Sequence, residues 1–205
     1  MPVEHAAAAP SVPPCRPRGA PRAALAAVAA GALAFVGVPS AAADQPYASG
    51  RLYAEAQVGG ANVEVSNLRF YPLLGGVTVG AYVAPGIGLE LHAEGGIDAD
   101  DDGGFELGLE GAAGAALRLE SPPVGGTSGY VTLGYAVWTP SLEPESGGAG
   151  AEVDEDFTGP RASIGLVQRL RRVPALSVSA EYRAWYTDDG LRMTALLLGL
   201  RLSGP

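Results

Sequence analysis

The sequence contains no lysine: its thirteen basic side chains are all arginines, set against twenty-two Asp and Glu, for a formal net charge of −9. A chain this acidic repels polyanions and offers no basic patch to release their counterions, so nucleic acid is not an expected partner. Cysteine occurs once, as Cys15. It lies before the first apolar run, where it cannot serve as a lipoprotein acylation site. Aromatics make up only 7 % of the chain, and the unbroken apolar run Ala23–Val38 is too short to cross a bilayer comfortably as a helix.

That run has another reading. Arg16, Arg18 and Arg22 precede it, and Pro39-Ser40-Ala41-Ala42-Ala43 follows. A charged segment, an apolar segment and small residues at Ala41 and Ala43 form a secretory signal with cleavage expected before Asp44. The sequence therefore divides into a signal peptide, 1–43, and one domain, 44–205. Beyond Ala43 there is no cysteine, so disulfides, a thiol nucleophile and a thiolate metal site are all excluded there. The thirty glycines are too many for an ordinary soluble core and fit strands that pack at close approach.

No segment of the domain sustains a helical period, whereas period-two alternation recurs throughout. Eight strands are predicted, at 51–59, 76–83, 87–96, 105–119, 129–138, 161–170, 175–186 and 191–202. In the third, Ile87, Leu89, Leu91 and Ala93 alternate with Glu90, His92 and Glu94; in the seventh, Leu176, Val178, Ala180, Tyr182 and Ala184 alternate with Ser177, Ser179, Glu181, Arg183 and Trp185. Connections after the first, third and fifth strands are long, while Ala84-Pro85-Gly86 and Arg171 to Pro174 are tight turns. An even strand count with unequal connections is the punctuation of a membrane barrel. Acidic residues gather on one rim: Asp98, Asp100, Asp101, Asp102, Glu143, Glu145, Glu152, Asp154, Glu155, Asp156, Asp188 and Asp189. The other rim carries Arg171 and Arg172.

The alternation alone fits either a membrane barrel or a soluble one with its apolar face around a ligand. The polar face favours the first. It carries Glu90, His92, Glu94, Glu106, Glu110, Arg118, Arg161, Arg169, Glu181 and Arg183, opposite charges at mid-strand that can pair in a narrow lumen. The apolar face is Leu, Val and Ala, with Tyr135, Trp138, Tyr182 and Tyr186 placed as an aromatic girdle. The fold class expected is all-β: an eight-stranded antiparallel up-and-down transmembrane β-barrel preceded by a signal peptide.

Two local patterns carry possible chemistry. Asp98-Ala99-Asp100-Asp101-Asp102-Gly103 matches the first half of a calcium loop, with Asp98, Asp100 and Asp102 as ligands. The bidentate Glu of a complete loop is replaced by Leu109, so the plainer reading is an acidic, solvated loop that shares divalent ions with lipopolysaccharide. His92, the one histidine of the domain, reads as a structural member of the lumen network, because a single histidine builds no ordinary metal site and no serine nucleophile is placed beside it.

The stretch Ser177-Val178-Ser179-Ala180-Glu181-Tyr182-Arg183-Ala184-Trp185-Tyr186, then Thr187-Asp188-Asp189-Gly190, then Leu198-Gly199-Leu200-Arg201-Leu202, resembles the closing hairpin of the outer-membrane protein A-like β-barrel superfamily. Tyr130-Val131-Thr132-Leu133-Gly134-Tyr135-Ala136 and Gly88-Leu89-Glu90-Leu91 resemble its fifth and third strands. The resemblance implies a monomer in the outer membrane of a Gram-negative cell, inserted by the outer-membrane assembly machinery and surrounded by lipid and lipopolysaccharide. It implies a structural or surface-interaction role without catalysis and without a required cofactor. Two other functions stay open: a lipid A-modifying enzyme on the same scaffold, and a soluble periplasmic lipocalin-like binding barrel.

Overall fold

A computed structural model describes residues 49–65, 68–144, 153–154, 156–186 and 192–204. The expected signal peptide, the Thr187–Gly190 hairpin loop and most of the long acidic loop lie outside these residues. Eight long strands build the wall: β1 (Leu52–Val65), β3 (Leu73–Ala84), β4 (Ile87–Asp98), β6 (Phe105–Glu120), β7 (Thr127–Pro144), β9 (Phe157–Arg169), β10 (Leu176–Tyr186) and β11 (Arg192–Ser203). Three short ones, β2 (Leu68–Phe70), β5 (Asp100–Asp102) and β8 (Val153–Asp154), extend it at one end. All pairing is antiparallel, in the order β6-β4-β3-β1-β11-β10-β9-β7, and β7 returns to β6. The sheet is closed by β1 against β11, from Tyr53↔Ser203 to Glu64↔Arg192. Closure leaves none of the eight wall strands as a free edge, which is what a bilayer demands of a spanning sheet.

The short turns fall at the end that holds the start of β1 and the end of β11. At Pro85-Gly86 the glycine has φ 73°, a conformation that a two-residue hairpin needs and L side chains rarely adopt. The longer connections fall at the other end, which in barrels of this kind faces outward.

The outer wall is apolar. Leu89, Leu91, Leu133, Ile164, Leu166, Leu196, Leu198 and Leu200 are each more than half exposed, while the alternate residues Glu90, His92, Thr132, Ser163 and Arg201 are buried. This distribution is inside-out relative to a lipocalin and matches lipid on the outside. Tyr71, Tyr135, Tyr182 and Tyr186 also face out. Trp138 does not: expected in the girdle, it is 1 % exposed and lies in the lumen, because Val137 beside it faces lipid and the strand period is two.

A second correction arises on β6. The β6–β7 register slips between Leu109 and Gly111, a bulge that reverses which side chains face inward. On the short-turn side of it Ala112, Ala116, Arg118 and Glu120 point in. On the long-loop side Leu107 and Leu109 do, so Glu106 and Glu110 are exposed on the outside and not part of the lumen.

Glycines on the inner face make room for large lumen rings. A Cβ on Gly80 would run into the Tyr53 ring, and one on Gly165 into the Tyr130 ring. Gly165→Val is therefore expected to force Tyr130 away from its carboxylate and to cost about 1–3 kcal/mol by overpacking. Equilibrium unfolding in urea with phospholipid vesicles checks this; an unchanged midpoint would contradict the packing described.

Candidate functional site

The interior has two parts. On the short-turn side it is a network of buried ions: among the described residues Glu55, Glu90, Glu94, Glu120 and Glu181 face Arg118, Arg161, Arg183 and Arg201. Five carboxylates against four guanidiniums leave little net charge, so the lumen has no strong one-signed field of the kind that draws ions through a pore.

Glu120, at the inner end of β6, accepts from Tyr82 Oη at 2.7 Å, Arg118 Nε at 2.7 Å and Ser128 Oγ at 2.5 Å. Arg118 also donates through Nη1 to Glu90 Oε1 at 3.0 Å, where Tyr53 Oη donates at 2.6 Å. Arg201 grips Glu55 Oε2 through Nε at 2.8 Å and Nη2 at 2.6 Å, and Ser179 donates to the other oxygen of Glu55. The guanidinium of Arg118 stacks 3.4 Å over the Tyr130 ring, and that of Arg201 lies 4.3 Å over Tyr53. Desolvated arginines gain from such faces as well as from carboxylates.

One layer further in, Arg183 is fully buried. It donates through Nε to Glu181 at 2.6 Å, through Nη2 to Gln57 Oε1 at 2.8 Å and through Nη1 to Glu94. Tyr130 Oη donates to Glu181 at 2.7 Å. Arg161 Nη1 donates to His92 Nδ1 at 2.6 Å. An arginine cannot accept, so His92 is the acceptor, and its imidazole is neutral with the proton on Nε2.

On the long-loop side the interior is apolar. Ala61, Val63, Phe70, Leu74, Leu107, Leu109, Trp138, Trp185, Met193 and Leu197 form one buried cluster, with the Phe157 ring packed against it, tilted and 5.4 Å from that of Trp138. Beyond its short-turn mouth the lumen is thus filled, first by ion pairs and then by a hydrophobic plug, as an eight-stranded interior allows.

Of the residues expected in the network, Glu90, His92, Glu94, Arg118, Arg161, Glu181 and Arg183 are there. Glu106 and Glu110 are outside it. Arg169 is half-buried at the short-turn mouth, and no described carboxylate pairs with it. Glu55, Gln57 and Arg201 also belong to the network, beyond the residues expected there; Glu55 and Gln57 alternate with Ala54, Ala56 and Val58 on β1, and Arg201 with Leu200 and Leu202 on β11. Glu120, Tyr53, Tyr82 and Tyr130 belong to it as well.

The aspartates of the calcium-like pattern do not converge. Asp100 Oδ2 accepts from the Tyr71 amide at 2.7 Å and Asp102 Oδ2 from the Arg69 amide at 3.0 Å, while Asp98 is exposed. Asp102-Gly103-Gly104-Phe105 is a hairpin whose glycines have φ 61° and 81°, so the glycine after the aspartates serves a type I′ turn. Among the described residues no three His, Cys, Asp or Glu side chains are grouped to hold a metal ion.

The sequence matches the family model described as "Outer membrane protein beta-barrel domain" over residues 25–203. No curated protein matches it. Among solved structures the chain is similar to Neisserial surface protein A (NspA), at 16 % identity and a TM-score of 0.59, covering 75 % of this chain and 99 % of that one. It is similar to Ail, the attachment invasion locus protein of Yersinia pestis, at 12 % identity and a TM-score of 0.56, over 76 % and 99 %. The N-terminal β-barrel domain of Pseudomonas aeruginosa OprF gives 14 % and 0.50, over 73 % and 96 %. At these identities the solved structures speak for the fold, and the family match speaks for membership. With its closed, inside-out wall and filled lumen, this chain belongs to the outer membrane protein β-barrel domain family and is a protein of the outer membrane.

Proposed function

We propose that the protein is a non-catalytic structural barrel of the envelope that meets its surroundings through an acidic long-loop end. The occluded lumen carries this reading: among the described residues, buried ion pairs on one side and a hydrophobic plug on the other close the way through the barrel. Reconstituted in planar bilayers, the protein is expected to show no steady ion-conducting state, and a sustained open channel would overturn the proposal.

At the long-loop end Asp98, Asp101, Glu106, Glu110 and Asp156 are exposed, and Arg69 and Arg192 are the basic residues among them. Ail has been solved with the heparin analogue sucrose octasulfate. A polyanion has the wrong sign for the end described here, which suits divalent cations shared with lipopolysaccharide. The partners on this reading are outer-membrane lipid, lipopolysaccharide and the assembly machinery, with the barrel itself a monomer.

An enzyme that modifies lipid A on this scaffold needs a serine activated at the lipid-facing outer rim. His92 lies instead in the lumen against Arg161. Cells expressing the wild-type protein or His92→Asn are expected to have the same lipid A acylation pattern. A change that requires His92 would replace the structural reading with the enzymatic one.

A further inference from the structure

At the short-turn mouth the lumen widens into a cavity of about 120 Å³ with a half-polar wall, to which Glu120, Ser128, Arg169, Ser177, Arg201 and Ser203 contribute the polar part. A water takes roughly 30 Å³ of liquid, so this space holds a few waters or one small oxyanion. The two carboxylates nearest the mouth are already engaged. Glu120 is held by Tyr82, Arg118 and Ser128, and Glu55 by Arg201. Of the lumen-facing arginines on β6, β9, β10 and β11, four pair with a glutamate, and Arg169 is the one with no described carboxylate partner. Its backbone is fixed at the mouth, since its amide donates to Gly126 at 2.9 Å and its carbonyl accepts from Gln168 Nε2 at 3.0 Å. The turn that follows adds Arg171 and Arg172, both exposed, which raises the positive potential at the opening.

We propose that this mouth binds a phosphate group, held by the Arg169 guanidinium with hydroxyls from Ser177 and Ser203 beside it, while Ser128 stays bonded to Glu120 at the cavity wall. An arginine fork in a partly desolvated cavity is suited to a tetrahedral oxyanion, which it meets with paired charge-assisted hydrogen bonds. The phosphate comes either free from the periplasm or as the headgroup of a phospholipid in the adjoining leaflet.

The test uses the full processed chain, folded in a phosphate-free glucoside detergent and labelled with nitrogen-15. Inorganic phosphate is titrated in one arm, and a short-chain phosphatidylglycerol doped into the same micelles in the other, each against sodium chloride at matched ionic strength. Saturable shifts are expected at Ser128, Arg169, Ser177 and Ser203 in at least one arm. The arm that saturates at lower concentration identifies the source. Arg169→Gln, folded as judged by its heat-dependent gel mobility, is expected to weaken the binding at least tenfold, and Arg169→Lys to retain part of it. Shifts that never saturate, or that are the same in Arg169→Gln as in the wild type, would overturn the proposal.

Discussion

Replacing Arg183 with methionine is expected to destabilise the folded barrel by about 3–5 kcal/mol, the cost of leaving buried charges without their partner. Arg183 is fully buried and joins Glu181, Glu94 and Gln57 across the lumen, from β10 to β4 and β1. Methionine preserves most of the volume, so the loss reflects charge and not a cavity. Removing one stranded carboxylate in the same chain, with Glu94→Gln, is expected to recover part of the loss, because residues in one network do not contribute independently. Unfolding in urea with phospholipid vesicles measures both variants against the wild type. If the single variant matched the wild type, the interior would be hydrated well enough to solvate both carboxylates, and the filled lumen would be wrong.

The second large effect concerns the opposite face. Leu198, near the middle of β11, is 61 % exposed, while Leu197 beside it is 3 % exposed inside the plug. Leu198→Arg is expected to cost about 2–4 kcal/mol in a bilayer, the range for a cation at the midplane of a lipid-facing strand. On a soluble barrel the same change at an exposed leucine would be neutral or would improve solubility. The variant therefore separates the two solvents this wall could face, and its cost should fall when the arginine is moved to Leu202 near the strand end.

Much of the wall was legible in the sequence because a β-barrel writes its two environments into alternate residues. Leu196, Leu198, Leu200 and Leu202 fall at alternate positions of β11, and each faces out. The limit of this reading is that it carries one parity along an entire strand. The bulge between Leu109 and Gly111 changes the parity within β6, and nothing in Gly108-Leu109-Glu110-Gly111-Ala112 announces it. Glu106 and Glu110 were misplaced for that reason. The hydrophobic plug is less legible for three reasons: Met193 and Leu197 are apolar at the inward parity of β11, Trp138 reads as a girdle residue although its parity opposes that of Val137, and Leu107 shares the parity of Leu117 until the bulge turns it inward. The calcium-like run of aspartates was misleading for a different reason. In a strand extension, alternate carboxylates can be taken up by neighbouring amides, as Asp100 and Asp102 are by Tyr71 and Arg69.

The central claim is that lipid lies outside this wall and a packed, polar-then-apolar interior lies within it. The sequence beyond Ala43 contains no cysteine, so single cysteines introduced from Ala195 to Leu202 can each carry a nitroxide label without background. The most direct measurement is the accessibility of those labels, in phospholipid bilayers, to oxygen and to a water-soluble nickel complex. A strict period of two is expected, with labels at 196, 198, 200 and 202 open to oxygen and closed to nickel, and labels at 195, 197, 199 and 201 closed to both. Nickel access at 196, 198 and 200 together with oxygen access at the inward positions would show the wall turned the other way and would contradict the account.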